Sequence, residues 1–372
     1  MTEWKTYKLG DVVNILDNRR IPLSARKREQ RHGEYPYYGA QGIIDYVDDY
    51  LFDGTYLLIA EDGENLRSKK QNIAQLVSGK YWVNNHAHIL ESNGLCDIRY
   101  ICYLLNIIDI SGYITGSAQP KLNQANLLAI SISLPPLEEQ RRIADILGAI
   151  DDKIENNRRI NTNLELQAQA LFDEWFMTNT SRLGVFSKSY LTDIANYLNG
   201  LAMQRFRPLE GEVGIPVLKI KELGQGQCDS SSDLCSLSIE EKYIVRDGDI
   251  IFSWSGTLLV DIWCGGVCGL NQHLFKVTSD KYPQWFIYYW TKHHLAKFIR
   301  IAKDKAVTMG HIKRGDLEVS EVLIPDEKSF AEMDKMMSPI FKAIVVNRIE
   351  NRRLATLRDT LLPKLMNGEI KL

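Results

Sequence analysis

The sequence is poor in the groups that do chemistry. It holds no GxxxxGK[ST] phosphate loop, no GxGxxG after a strand, no GxSxG elbow and no HExxH pair. It therefore lacks the phosphate cradles, exposed nucleophile and paired histidine ligands that nucleotide-dependent, hydrolytic and zinc-dependent catalysis use. Leu134-Pro135-Pro136-Leu137 lacks the polar first residue of the Asn/Asp-Pro-Pro-aromatic tetrapeptide of amino-methyltransferases. Six cysteines are present, but Cys228/Cys235 and Cys264/Cys268 are not spaced as CxxC pairs, and no histidine pair completes a zinc motif. They read as buried reduced thiols, with no metal. No apolar run approaches the ~18 residues of a membrane span. The start, Met1-Thr2-Glu3-Trp4-Lys5, lacks a signal-peptide pattern, so the expected location is cytoplasmic. Charge of either sign is also missing in excess: the net value is −2. Nothing in the whole-chain balance draws the protein to nucleic acid, so any such role must rest on local patches.

What is present is a duplication. Leu134-Pro135-Pro136-Leu137-Glu138-Glu139-Gln140 precedes one long amphipathic run, and Ile324-Pro325-Asp326-Glu327 precedes another. Ile154 pairs with Ile344, Asn157 with Asn347, Asn161 with Asn351, Leu164 with Leu354 and Leu171 with Leu361, always 190 apart (344 − 154). Solenoid repeats run to roughly 20–50 residues, so this is a duplicated module, which implies a two-fold task.

At 372 residues the chain exceeds one typical domain. We divide it into a globular segment 1–134, a central spacer helix 135–180, a second globular segment 181–325 and a C-terminal spacer helix 326–372. The globular parts echo each other with drifting offsets. Tyr7–Val12 resembles Ser189–Ile194, Tyr35–Tyr38 resembles Ile215–Leu218, and Asp53–Ile59 resembles Asp247–Ser253. Asn85-His86-Ala87-His88 resembles Asn271-Gln272-His273-Leu274. Apolar runs at 55–60 and 249–254 read as strands, and 98–108 and 284–299 as helices, so each globular part is a mixed α/β unit.

In the helical runs, Ile143, Ile150, Asn157, Leu164 and Leu171 recur every seven residues, with Leu147, Ile154, Asn161, Ala168 and Trp175 as a second row. Met333, Ile340, Asn347, Leu354 and Leu361, with Met337, Ile344, Asn351, Arg358 and Leu365, repeat the pattern. These are a/d seams of a coiled coil. Asparagine in such a seam lowers stability but fixes register. Asn157, Asn161, Asn347 and Asn351 stand near mid-helix, so an antiparallel pair would bring two polar layers together. Residues 135–180 carry five Lys/Arg against nine Asp/Glu and 326–372 nine against seven, so the signs favour pairing.

The remaining features suit binding. Arg19, Arg20, Arg26, Lys27, Arg28 and Arg31 lead into Tyr35, Tyr37 and Tyr38. Basic groups track phosphates, and aromatic turns place planar groups near bases. Arg205 and Arg207 occupy the comparable place in the second part. Before each long helix, Gly116-Ser117-Ala118-Gln119-Pro120-Lys121-Leu122 corresponds to Ala306-Val307-Thr308-Met309-Gly310-His311-Ile312, followed by Lys313 and Arg314. Gln119, Lys121, Lys303, Lys305, Thr308, His311, Lys313 and Arg314 are candidate contacts there, because amide and cationic side chains reach base edges and phosphates.

Together these residues resemble the specificity subunit of type I restriction–modification systems. Tyr35-Pro36-Tyr37-Tyr38-Gly39-Ala40, the 116–122 loop, Ala170-Leu171-Phe172 and Leu361-Leu362-Pro363-Lys364-Leu365-Met366-Asn367-Gly368-Glu369-Ile370 all fit that family. The chain departs from it at Ala118, where threonine is common, and at Met309-Gly310. The resemblance implies two α/β target recognition domains separated by two long antiparallel helices. Each domain would read one half of a bipartite double-stranded DNA site. The helices would set the gap and dock two methyltransferase subunits, which methylate adenine. The chain itself would bind no cofactor: S-adenosylmethionine would belong to the methyltransferase, and ATP and Mg to motor–nuclease restriction subunits. Two rivals stand beside this reading. One is a stand-alone nuclease with a degenerate motif around Glu240 and Lys242; that Glu-x-Lys triplet, like Glu3-Trp4-Lys5, reads better as exposed charge. The other is a protein scaffold that does not touch DNA.

Overall fold

Apolar strand residues need partners on both sides, and the chain finds them far away in sequence. The computed structural model describes residues 4–178, 185–304 and 310–372. It divides into two compact units, Met1–Asp152 with Thr356–Leu372, and Lys153–Ala355.

In the first unit Lys5–Lys8 pairs antiparallel with Ser131–Leu134, closing the ends of the globular part. A four-stranded antiparallel sheet follows the order Val13–Ile15, Ala87–Ser92, Tyr56–Ala60, Ala74–Val77. A second sheet has the order Gly42–Val47, His32–Gly39, Lys80–Val83, Phe52–Asp53. Its central pair is parallel, with Tyr37 opposite Trp82. Helix Ile98–Ile107 covers the first sheet. Asp97 caps it by accepting from the Arg99 and Tyr100 amides, and Tyr100, Ile101, Leu104 and Leu105 are buried.

The second unit repeats this plan strand for strand. Phe186–Tyr190 pairs with Glu321–Pro325. The larger sheet has the order Asn196–Asn199, Leu274–Thr278, Ile250–Ser253, Leu259–Ile262. The smaller has Leu234–Cys235, Ile215–Leu218, Cys268–Leu270, Ile244–Val245, again with one parallel pair, Val217 opposite Gly269. Helix Gln284–Asp304 takes the place of Ile98–Ile107. Small details recur too. The Asp11 carboxylate accepts from the Lys8 amide at 2.8 Å, and that of Asp193 from the Tyr190 amide at 3.0 Å.

One sequence alignment shifts by a residue. The Asn84 side chain accepts from the His86 amide, and the Asn271 side chain from the His273 amide. The equivalent of Asn271 is thus Asn84, not Asn85, because the turn geometry follows the side-chain bond rather than local identity.

The central helix runs Leu137–Asp173 and widens into a π-helical turn over Glu174–Thr178. The C-terminal helix runs Glu327–Met366. In the first unit Ile143, Ala144 and Leu147 of the central helix share a core with Leu365 and Met366, and Arg358 meets Asp151 at 2.7 Å. In the second, Ala168, Phe172 and Trp175 join Met333, Met337 and Phe341 in one core. The seam runs antiparallel. Asn157 Nδ2 donates to Asn351 Oδ1 at 2.9 Å and to Glu350 Oε2 at 2.7 Å. Asn347 Nδ2 donates to Asn161 Oδ1 at 2.9 Å, and Asn161 Nδ2 to the Ile344 carbonyl at 3.0 Å. The 190-residue repeat exchanges the two Asn–Asn pairs. Asn157 is fully buried, so these bonds are what make its polar amide tolerable there. Among the described residues, no helix is long and apolar enough to cross a membrane.

Candidate nucleic-acid interface

In each unit the turn after one strand of the larger sheet meets the loop that precedes the long helix. In the first unit that loop is closed by a backbone ladder between Thr115 and Lys121, with both N–H···O bonds at 2.8 Å. Gly116 turns it with φ +82°, and a Cβ there would lie 2.2 Å from the Gln119 carbonyl oxygen, so only glycine fits. Arg67 donates to the Ser117 carbonyl at 2.9 Å and to that of Gly116. The loop is fastened to the strand end by the Leu122 amide on the Glu61 carbonyl at 2.8 Å and the Gly63 amide on the Pro120 carbonyl at 3.1 Å.

Below this loop lies a half-buried charge network around the buried His88. Arg20 spans two carboxylates, Asp17 at 3.0 Å and Glu61 at 2.8 Å, and donates to the Ala87 carbonyl at 2.9 Å. His88 contacts Asp17 Oδ2 through Nδ1 at 2.5 Å and the Leu122 carbonyl through Nε2 at 2.7 Å. Glu61 Oε1 reaches Lys121 Nζ at 3.2 Å. Burial opposes the Glu61 charge, but the bonds from Arg20 and Lys121 and the nearby His88 outweigh it and hold the carboxyl below its ordinary value. Asp17, Glu61 and His88 have ligand atoms within 4.8 Å of one another. Arg20 already supplies positive charge between the two carboxylates.

The structure sorts the basic candidates of the first unit. Arg20 is held inside this network. Arg28 ion-pairs with Asp45 at 2.7 Å and lies over the Tyr37 ring. Its hydrogen bond holds the Asp45 carboxyl below the ordinary value. Arg31 pairs with Asp48 at 2.8 Å and lies over Trp82. Arg19 lies over Phe52 and donates to the Leu51 carbonyl. Arg26 and Lys27 are exposed on the short helix Ala25–Glu29. Tyr37 is buried, and its hydroxyl accepts from the Leu23 amide at 2.9 Å, so it anchors the basic loop. Tyr38 is half-buried and meets Tyr81 edge-on. Gln119 and Lys121 are exposed.

In the second unit the Ile312 amide donates to the Trp254 carbonyl at 3.1 Å and the Gly256 amide to the Gly310 carbonyl at 2.9 Å. Ser255 bridges His311 as Asp62 bridges Lys121. The side chains differ. Trp254 replaces Glu61, and its indole N–H donates to Asn199 Oδ1 at 3.0 Å. Its ring meets those of His273, Phe275 and His311. His273 Nδ1 lies 3.0 Å from Ser255 Oγ, as His86 Nδ1 lies 2.6 Å from Asp62 Oδ2. Lys303, His311, Lys313 and Arg314 are exposed, as are Arg205 and Arg207. Arg207 lines a cleft with Lys219, Asp233 and Asn271. Lys305 and Thr308 lie outside the described residues.

Sequence reading missed Asp17, Glu61, His86 and His88 in the first unit, and Asn199, Trp254 and His273 in the second. The one local signal was the shared Asn-x-His pattern, Asn84-Asn85-His86 and Asn271-Gln272-His273.

Comparison with known proteins bears on this surface. Residues 1–166 match the family model described as a type I restriction modification DNA specificity domain. A Haemophilus influenzae protein named for type I restriction enzyme specificity is 37% identical over 148 residues, covering 40% of this chain and 37% of that protein. The type I restriction enzyme MjaIX specificity subunit of Methanocaldococcus jannaschii is 25% identical over 411 aligned positions, covering 99% of this chain and 94% of that protein. The crystal structure of a type I restriction–modification S subunit from M. genitalium has the same fold. Its TM-score is 0.69 at 13% identity, over 98% of this chain and 96% of that one.

Proposed function

The chain belongs to the family of DNA specificity subunits of type I restriction–modification systems, and on that premise we propose that its two globular segments each read one half of a bipartite DNA site. The carrying observation is one backbone plan used twice with different side chains on it. Lys121 and His311 sit at equivalent bridges, and the strand-end residues beneath them are Glu61 and Trp254. Equal frames with unequal surfaces suit an asymmetric two-part sequence.

In this reading segments 1–134 and 181–325 recognise, and segments 135–180 and 326–372 set the gap between half-sites. The helices and recognition segments dock two methyltransferase subunits, and motor–nuclease subunits join them. The chain carries no active site and binds no cofactor. S-adenosylmethionine belongs to the methyltransferase, and ATP and Mg to the restriction subunit. Exposed Arg26, Lys27, Arg205, Arg207, Lys313 and Arg314 approach phosphates, where each released counterion adds salt-dependent affinity. Joining two short readers makes the second contact intramolecular, which raises specificity only when the gap fits.

Sequencing of modified bases in cells carrying the chain with its cognate methyltransferase tests this. The expected result is methylated adenine on a two-part sequence of fixed gap, lost when the chain is deleted. A contiguous motif, or methylation indifferent to the deletion, would overturn it.

A further inference from the structure

Backbone hydrogen bonds align the two units more finely than sequence does. The Leu122 amide meets the Glu61 carbonyl where the Ile312 amide meets that of Trp254. Lys121 and His311 are therefore one position in the fold, and Glu61 and Trp254 another. In both units the second touches the first. Glu61 Oε1 lies 3.2 Å from Lys121 Nζ, and the Trp254 ring stands edge-on to that of His311, centroids 6.3 Å apart at 81°. The Lys121 side chain remains 53% exposed despite its ion pair, leaving donors for a ligand.

We propose that Lys121 and His311 are equivalent base-contacting positions and that Glu61 and Trp254 are the residues that position them, so that one address in the fold gives the two units different base preferences. This rests on the DNA-reading function proposed above. In the first unit the position is built by charge. Arg20 bridges Asp17 and Glu61, His88 closes the network on Asp17 and the Leu122 carbonyl, and Glu61 aims the ammonium. In the second it is built by rings, with Asn199 holding the indole. The chemistry narrows the target. An ammonium has donors and no acceptor, so Lys121 selects a base edge made of acceptors, the N7 and O6 of guanine in the major groove. An imidazole ring nitrogen can donate or accept according to its tautomer, so the His311 position is not confined to guanine.

The test uses the full chain co-expressed with its methyltransferase subunits, and reads methylation of DNA carrying each single-base change. Lys121→Met is expected to lower discrimination for a guanine in one half-site by roughly tenfold or more, leaving the other half-site unchanged. Glu61→Gln, which keeps the shape, weakens the preference at that same base pair. The double variant discriminates no worse than Lys121→Met alone, whereas a merely structural effect would add. Trp254→Leu relaxes one position of the other half-site, and Trp254→Phe, which keeps a ring against His311, preserves it. Unchanged discrimination in Lys121→Met, changes in both half-sites, or an additive double variant would overturn the assignment. A wild-type complex that methylates no bipartite sequence would instead overturn the function it rests on.

Discussion

At the scale of the residue, charge in the sequence is a poor guide to charge at the surface. Arg20 lies in a basic run, yet its guanidinium is saturated by Asp17, Glu61 and the Ala87 carbonyl. Arg28 and Arg31 are likewise neutralised by Asp45 and Asp48. Asp45 lies on the strand Gly42–Val47 and Asp48 just past its end, each 17 residues from its arginine, so no local pattern links them. A buried histidine carries a further consequence. His294 packs beside Trp290, and its Nε2 lies 2.8 Å from the Glu321 carbonyl. Burial, with the charges of His293 and Lys297, lowers its pKa from 6.5 to about 4 against the Glu321 bond. His293 shifts the same way, through burial. The unfolded chain therefore binds a proton that the folded unit refuses. The His294 contribution to the stability of the second unit should fall as pH drops from about 6.5 to about 4, by up to about 3 kcal/mol in all, with no further loss from this group below. Urea melts across that window should show the slope, and His294→Gln should flatten it.

At the scale of the element, the heptads carried most of the information. Both helices form where the a/d rows recur, and the C-terminal helix continues through Pro339 despite the lost backbone donor. Packing of Met333, Met337, Phe341 and Ile344 into the core outweighs that local defect. The Asn pairs add little net stability but make a slipped register costly, since buried amides would lose their partners. The flanking pairs, Lys153 with Glu350 at 3.2 Å and Arg348 with Glu165 at 2.9 Å, reinforce the same register. Matched seven-residue insertions after Leu164 and after Ala343 preserve the facing pairs on either side. Each adds about 10 Å of helix, about three base pairs of DNA. The methylated sequence should keep both half-sites and gain that gap. Altered half-sites would contradict the division of labour between helices and globular segments.

At the scale of the whole molecule, the two units share one strand plan. The strand pairs Lys5–Lys8 with Ser131–Leu134 and Phe186–Tyr190 with Glu321–Pro325 close both globular parts in the same way. The Leu9 amide reaches the Ile130 carbonyl just as the Leu191 amide reaches that of Ser320. Replacing residues 191–320 by a copy of 9–130 joins matching backbone at both ends. The chimera should direct methylation to a sequence whose two half-sites are the same, both carrying the first unit's preference. Retention of the original second half-site would show that the helices contribute base recognition.

By itself the sequence determined the α/β class, the duplication, the two long helices and the asparagine layers that set their register. Those features rest on periodicity and on identity at a constant separation, which a linear string records directly. Only tertiary structure decided which basic residues face solvent, that Asn84 rather than Asn85 matches Asn271, and that Glu61 and Trp254 share a place beneath Lys121 and His311. The shared place of Glu61 and Trp254 depends on hydrogen bonds between turns dozens of residues apart, Leu122 to Glu61 and Ile312 to Trp254. No local spacing encodes such a bond. It exists only once the sheets have brought the turns within about 3 Å of each other.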